Sequence, residues 1–396
     1  MRISIDSNTD SPSVSTAGEQ QQSMDATLHQ DSSLVPRKIF CWRRRQFVDE
    51  KPKWVQSNTS PRAKSSPVHR LPTEILSEIF LLCFPQDQPG LAPVLLTTVC
   101  RRWREVAVGF PKLWCMLQFQ VDCNDSDWQQ RALFYDSLLQ RSRGCPLSLK
   151  IVCHDELSEL RQVLEPYIKQ ILSLTLHFVR CGRKPFMVDD FHALKELTVL
   201  NRDIDLELAI NKSLWVLPVN LLRLDLTRVL VNYAYFVYPQ AARWFHLTHL
   251  KIKINLMQEF LLLLIECPNL SSLSILGIME PIQSLPEEPI THAYLQYLHI
   301  RGSLFGDYDL GVNLFNTITL PKLCILDFRQ TGPWPHEEFK AFVTRSKCPL
   351  ESLIFGMSMT LTDQEQKECT SLIPSLKRIV GKGYSRDVDP QSIQYL

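Results

Sequence analysis

Glycine is scarce in this chain, with 13 in 396 residues. No Gly-rich phosphate loop, dinucleotide fingerprint, Gly-x-Ser-x-Gly elbow or His-Glu-x-x-His pair occurs, which removes the usual signatures of nucleotide chemistry, acyl transfer and zinc hydrolysis. The 12 cysteines include no Cys-x-x-Cys pair and no His/Cys ligand spacing. They read as reduced thiols inside a cell, with neither a disulfide framework nor a metal site. A hydrophobic leader is missing from the N-terminus, and the longest apolar runs, Ile79 to Phe84 and Phe260 to Ile265, are too short to cross a bilayer. The expectation is a soluble protein of the cytoplasm or nucleus with no membrane partner. Charge is balanced, 43 Lys and Arg against 42 Asp and Glu, so net charge gives no pull toward nucleic acid. The densest titratable run, Cys153-His154-Asp155-Glu156, reads as a polar loop after a strand, because sequence neighbours rarely face one another as a nucleophile and base must. No catalytic residue, metal ligand or cofactor is expected, and the chain does not read as an enzyme.

What is present is apolar surface: 45% of the residues are hydrophobic, enough for sizeable cores. It starts late. Residues 1–66 are rich in Ser, Thr, Gln and Asp without a sustained hydrophobic period, the composition of a disordered tail. That tail holds Trp42-Arg43-Arg44-Arg45 and the Ser-Pro pairs at Ser11, Ser60 and Ser66, which are read as solvated charge and chance pairs, with a nuclear address or docking peptide and phosphorylation as the functional alternatives.

A compact module is expected over 67–118. Pro72 suits a first helical position, where its missing N–H has no partner, and Glu74 puts negative charge at the positive end of the helix dipole. Ile75, Leu76, Ile79, Phe80 and Cys83 then form an apolar stripe, with Thr73, Ser77 and Glu78 on the wetter side. A second helix from Pro93 carries Leu96, Val99, Cys100, Trp103 and Val106 or Ala107 on one face and Arg101, Arg102 and Arg104 on the other. Pro111 forces a turn that folds Leu113 and Trp114 back.

These three pieces, Leu71-Pro72-Thr73-Glu74-Ile75-Leu76, Val99-Cys100-Arg101-Arg102-Trp103 and Pro111-Lys112-Leu113-Trp114, resemble the F-box. The resemblance covers about fifty residues, with a departure at Gly90-Leu91-Ala92-Pro93, where the family often has an Asp-Leu pair. It implies docking to a Skp-type adaptor and through it to a cullin. Leu71, Pro72, Ile75, Leu76, Ile79, Val99, Trp103 and Trp114 would form or support the adaptor-binding surface.

Beyond the module, a connector helix is expected over 119–145, capped by Asp127, carrying Trp128, Leu133, Phe134, Leu138 and Leu139 and ending near Arg143-Gly144. From 146 to 396 a pattern recurs of an apolar residue, two variable, an apolar, one variable, an apolar. Its starts are Pro146, Ile171, Leu194, Leu221, Leu247, Leu270, Leu295, Leu323, Leu350 and Leu376, at intervals of about 25 residues, inside the roughly 20–29-residue range of leucine-rich repeats. Each interval supplies a strand and then a helical segment such as Gln258 to Glu266 or His336 to Arg345. Cys145-Pro146, Cys267-Pro268 and Cys348-Pro349 recur before strands, Cys packing and Pro terminating. The Asn or Cys that such repeats carry after the third apolar residue is mostly missing, which implies irregular turns. These repeats resemble those of F-box proteins with leucine-rich repeats, particularly fungal ones. The fold class expected is α/β: a small three-helix module followed by a solenoid with a curved parallel sheet inside and helices outside.

Strand alternation puts the third, fifth and seventh positions of each pattern on the concave face. They are Arg223, Asp225 and Thr227; His249, Lys251 and Lys253; Tyr297, His299 and Arg301; and Asp327 and Arg329, with Ser272 and Ser274 leaving room between. This basic stripe suggests an acidic or phosphorylated protein substrate, against the alternative of solvated charge on an open sheet. Two further readings stay open: a repeat scaffold whose helical module only caps the solenoid, and a nucleic-acid binder using Arg101, Arg102 and Arg104, which balanced charge disfavours.

Overall fold

The computed structural model describes residues 70–83, 92–121, 127–154, 158–179, 188–201, 217–230, 244–278, 286–302, 310–330, 333–357, 359 and 361–382. All of them belong to one compact unit, Ser65–Leu396. The tail with its Ser-Pro pairs and arginine cluster, and Asp155 and Glu156, lie outside the described residues.

Helix α1 (Thr73–Leu82) starts one residue later than expected, with Pro72 at the N-cap (φ −54°, ψ 152°), a φ the proline ring already favours. Its apolar residues divide between two faces. Leu76 and Phe80 are buried, whereas Ile75 and Ile79, expected beside them, point outward, as does Cys83. Ser77, expected on the wet side, is buried and satisfies its hydroxyl on the Thr73 carbonyl at 2.8 Å. The single helix expected from Pro93 is two, α2 (Ala92–Val99) and α3 (Arg101–Gly109). Between them Cys100 is extended (φ −157°, ψ 169°), and its sulfur accepts the Trp103 N–H at 3.4 Å. The break shifts the helical phase, so Val99 faces out while Val106 and Ala107 stay inside. A 3-10 turn, Pro111–Trp114, then returns Leu113 and Trp114 to the core.

Eleven parallel strands follow in chain order: β1 (Met116–Val121), β2 (Leu147–Cys153), β3 (Ile171–Phe178), β4 (Glu196–Asn201), β5 (Arg223–Leu230), β6 (His249–Lys253), β7 (Ser272–Ile278), β9 (Tyr297–Gly302), β11 (Ile325–Gln330), β12 (Ser352–Met357) and β13 (Arg378–Lys382). The two-residue strands β8 (Ile290–Thr291) and β10 (Ile318–Thr319) form a separate parallel pair. From Leu194 onward each strand opens two residues after the start read from the sequence. Helices cross between strands at α4 (Trp128–Gln140), α5 (Ser158–Leu164), α6 (Met257–Glu266), α7 (Leu310–Thr317), α8 (His336–Ser346) and α9 (Asp363–Leu372). One strand and one crossover per interval make a solenoid-like α/β fold.

The sheet begins one strand earlier than the boundary at 146. Trp114, Leu117 and Phe119 occupy the first, fourth and sixth apolar positions of the same pattern, and all three are fully buried. The 118/119 boundary therefore falls inside β1, because Pro111 and Trp114 drew that segment into the helical module although Met116–Val121 alternates as a strand. Helix α4 is accordingly the crossover between β1 and β2, not a separate connector. It buries Tyr135, Leu138 and Leu139, while Leu133 and Phe134, expected inside, are exposed. Tyr135 stacks on Phe119 at 4.2 Å between ring centroids, and its hydroxyl bonds both the N–H and the carbonyl of Gln120.

The interior is continuous from the module through the sheet. Between the last strands it is aromatic, Phe315 meeting Phe328, Phe339 and Phe342 at 5.4 to 5.5 Å. Each such burial contributes about 1.5–3 kcal/mol. Cys267 and Cys348 are buried at helix ends with exposed prolines after them. Cys324 is only half-buried.

Candidate docking face and open sheet face

On the module, exposure concentrates on apolar residues. Ile75, Ile79 and Leu82 stand four and three residues apart along one side of α1, and Leu82 is 85% exposed. Leu95 and Val99 stand one turn apart on α2, Leu95 being 64% exposed. Pro72 is exposed and Leu71 half-buried. Such residues on a short helical module form the kind of surface that a protein partner covers. Three of the eight residues expected to form or support the docking surface lie on its inner side. Leu76 and Trp114 are buried, and Trp103 packs its ring against Phe80 at 4.9 Å. Leu82 and Leu95 escaped the sequence reading because they belong to neither the expected apolar stripes nor the three motif pieces.

Three arginines of the module are engaged within it. Arg101 pairs with Glu105 at 3.0 Å, Arg102 donates to the Leu71 carbonyl, and Arg104 donates to the Thr97 carbonyl at 2.8 Å.

On the sheet, the register places the fifth-position residues Asp225, Lys251, Ser274, His299 and Asp327 side by side. All the expected recognition residues share this face, yet the basic stripe is largely neutralised. Arg223 bonds Glu196 at 3.2 Å, and Lys251 lies 3.8 Å from Asp225. Arg329 grips Asp327 through two 2.7 Å bonds, and Asp327 is buried. Asp327 is therefore engaged within its own strand and is not offered to a ligand. Glu196 was missed because the strand rule was applied only from Leu221 onward. Lys253 and Arg301 make no ion pair with any described residue.

Burial disfavours the charged form of two histidines of this face, His249 and His299. Burial pushes His299 down to about 4, against the opposing pull of the Asp327 carboxylate. Its Nδ1 meets Ser274 Oγ at 2.7 Å, and its Nε2 is buried without a hydrogen-bond partner. Burial also lowers the pKa of His249, with Arg223 adding to the effect. Over the third- and fifth-position rows runs a groove of about 340 Å³, lined among others by Glu196, Arg223, His249, Lys251, Tyr297 and Ile325.

Among the described residues one cluster has metal-like geometry, His336, Glu337 and Glu368. The Lys340 ammonium sits 3.1 Å from Glu337 and 3.3 Å from Glu368, where it supplies the positive charge a cation would bring. Hydrogen bonds from Gln364, then His336 and Lys340, hold Glu368 down at about 2.

Residues 68–120 match the F-box-like family model, so the chain carries an F-box-like domain over the helical module and β1. No curated protein matches the chain. F-box domains generally bind Skp-type adaptors, and the domain thereby suggests an adaptor role in a ubiquitin ligase.

Proposed function

We propose that this protein is the substrate-recognition subunit of a cullin–RING ubiquitin ligase. The F-box-like domain docks onto a Skp-type adaptor, and through it a cullin, while the sheet, read as leucine-rich repeats, holds a protein substrate. The mechanism is proximity: holding substrate near a loaded conjugating enzyme raises its effective concentration, which requires two binding surfaces and no catalytic residue, metal or cofactor in this chain. Action in the cytoplasm or nucleus, with no nucleic acid or membrane involved, completes the reading. The observation that carries it is the row of outward apolar side chains, Ile75, Ile79 and Leu82 on α1 with Leu95 and Val99 on α2.

A second reading, a non-catalytic scaffold whose helical module only caps the repeats, has one observation in its favour: Trp114 fills the first position of the first repeat. A cap, however, presents a polar outer face, and these helices present an apolar one. Co-purification of the full chain with a Skp-type adaptor tests the choice. Ile75→Ser with Ile79→Ser is expected to abolish association while leaving the melting temperature within a few degrees, since both residues face outward. Adaptor recovery at wild-type levels from that variant would leave the capping reading standing.

A further inference from the structure

We propose that the groove continues onto the rim where the strands begin, and that its occupant is an extended protein segment, apolar at one end and acidic at the other. This rests on the reading that the sheet recruits a protein.

The rim is a repeated device. The chain enters its strands through the same turn, with Leu194 N–H bonded to Phe191, Leu221 to Pro218, Leu247 to Trp244, Leu270 to Cys267 and Leu323 to Leu320, at 2.8 to 3.2 Å. The outer residues of each turn bury themselves and the first of the two between projects. In the central repeats the first of those two residues is apolar: Val219 is 76% exposed and Phe245 56%, with Pro268 exposed in the turn that follows. Tyr294, 52% exposed, continues the line under the Lys322 ammonium at 4.8 Å, and Leu222 stands at the entry to β5. Side-chain amides tie neighbouring turns together, Asn220 donating to the His192 carbonyl and Asn269 to that of Phe245, both at 2.7 Å. Single exposed apolar residues are ordinary, but several on adjacent repeats along one edge are not.

The groove occupies the same end of the sheet. Its lining includes Ser271, Gln296 and Cys324, the residues just before β7, β9 and β11, and reaches no seventh-position residue. Charge divides the face along the strand direction. The entry half is neutral, with Arg223 balanced by Glu196 and Lys251 by Asp225. At the exit end, Leu276 lies between Lys253 and Arg301 in register, so two cations that make no ion pair with any described residue stand in one row, with Arg301 next to the Arg329 that Asp327 holds. From Gln296 to Arg301 is five residues of strand, roughly 17 Å, which an extended peptide spans with about five residues of its own. A segment running along the strands thus meets apolar surface first and positive charge last. A uniformly acidic ligand would gain nothing from the rim and would meet Glu196 and Asp225 in the groove.

Peptide selection on the purified full chain tests this. Three libraries share a Ser/Gly spacer: apolar–acidic in both directions, apolar–basic, and Ser-substituted–acidic. The apolar–acidic library is expected to be enriched about ten-fold over both others, with that enrichment lost in Phe245→Ser and separately in Arg301→Glu, each removing one interface contact. Equal retention of the three libraries, or selection that survives Phe245→Ser, would overturn the proposal. Adaptor association measured on the same preparations separates the two levels. Normal adaptor binding without peptide selection removes this inference alone, and loss of adaptor binding by the wild-type chain removes the functional reading beneath it.

Discussion

Trp114 donates its indole N–H to the carbonyl of Ala107 at 2.8 Å while lying fully buried, with the Arg141 guanidinium 4.5 Å over its ring. One side chain therefore belongs to three elements: the helical module through Ala107, the first repeat through its own position, and the end of α4 through Arg141. The module and the sheet share an interior and are not joined by a hinge, which suits a protein that must present one partner to another at a fixed distance.

Truncating that residue should show it. Trp114→Ala is expected to cost roughly 3–5 kcal/mol by cavity formation, and Trp114→Phe about 1 kcal/mol through loss of the indole hydrogen bond to the Ala107 carbonyl. Denaturant unfolding followed by circular dichroism is the measurement. A wild-type midpoint in the alanine variant would contradict the shared interior.

Leu76 and Val99 should separate stability from docking. Leu76→Ala removes a buried side chain and is expected to lower stability by about 2–5 kcal/mol. Val99→Ser alters an outward residue beyond the Cys100 break and should change stability by less than about 0.5 kcal/mol while weakening adaptor binding. Calorimetry on both variants, with an adaptor titration of the second, distinguishes the roles, and a large stability loss in Val99→Ser would place that residue inside.

The Asp327–Arg329 pair should behave as a buried ion pair. Asp327→Ala leaves a guanidinium without its carboxylate and is expected to cost roughly 3–5 kcal/mol. Adding Arg329→Leu should recover part of that loss, because the guanidinium that lost its buried carboxylate is then gone. A double-mutant cycle reads the coupling, and additive losses would mean the pair is solvated.

Acidification should destabilise the sheet. Burial holds His299 at about 4 in the folded chain against the ordinary imidazole value of 6.5. Between those pH values the unfolded chain binds a proton that the folded one does not, so stability is lost as pH falls from 6.5 toward 4 and the loss levels off below that. His246, His249 and His292 are lowered in the same direction, first by burial. Melting temperatures across that window should slope less in His299→Gln than in the wild type, and parallel slopes would show that His299 contributes nothing.

The sequence by itself determined the periodic parts. Strand after strand opens two residues past its leading leucine, because alternation along a strand and the repeat interval are both local regularities that one apolar face imposes on the chain. It also determined the three ordered pieces of the helical module, since proline at a helix entrance and tryptophan after a turn act over a few residues. The tertiary structure alone decided which apolar residues face outward. Ile75 and Leu76 are chemically alike and adjacent, and only the position of the third helix sends one into the core and leaves the other for a partner. It likewise decided that Trp114 begins the sheet as well as closing the module, and that Glu196, Asp225 and Asp327 neutralise cations one strand away or in their own strand. Pairing of that kind depends on how neighbouring strands register and on which rotamers their side chains adopt, and neither is written in the spacing of a single repeat.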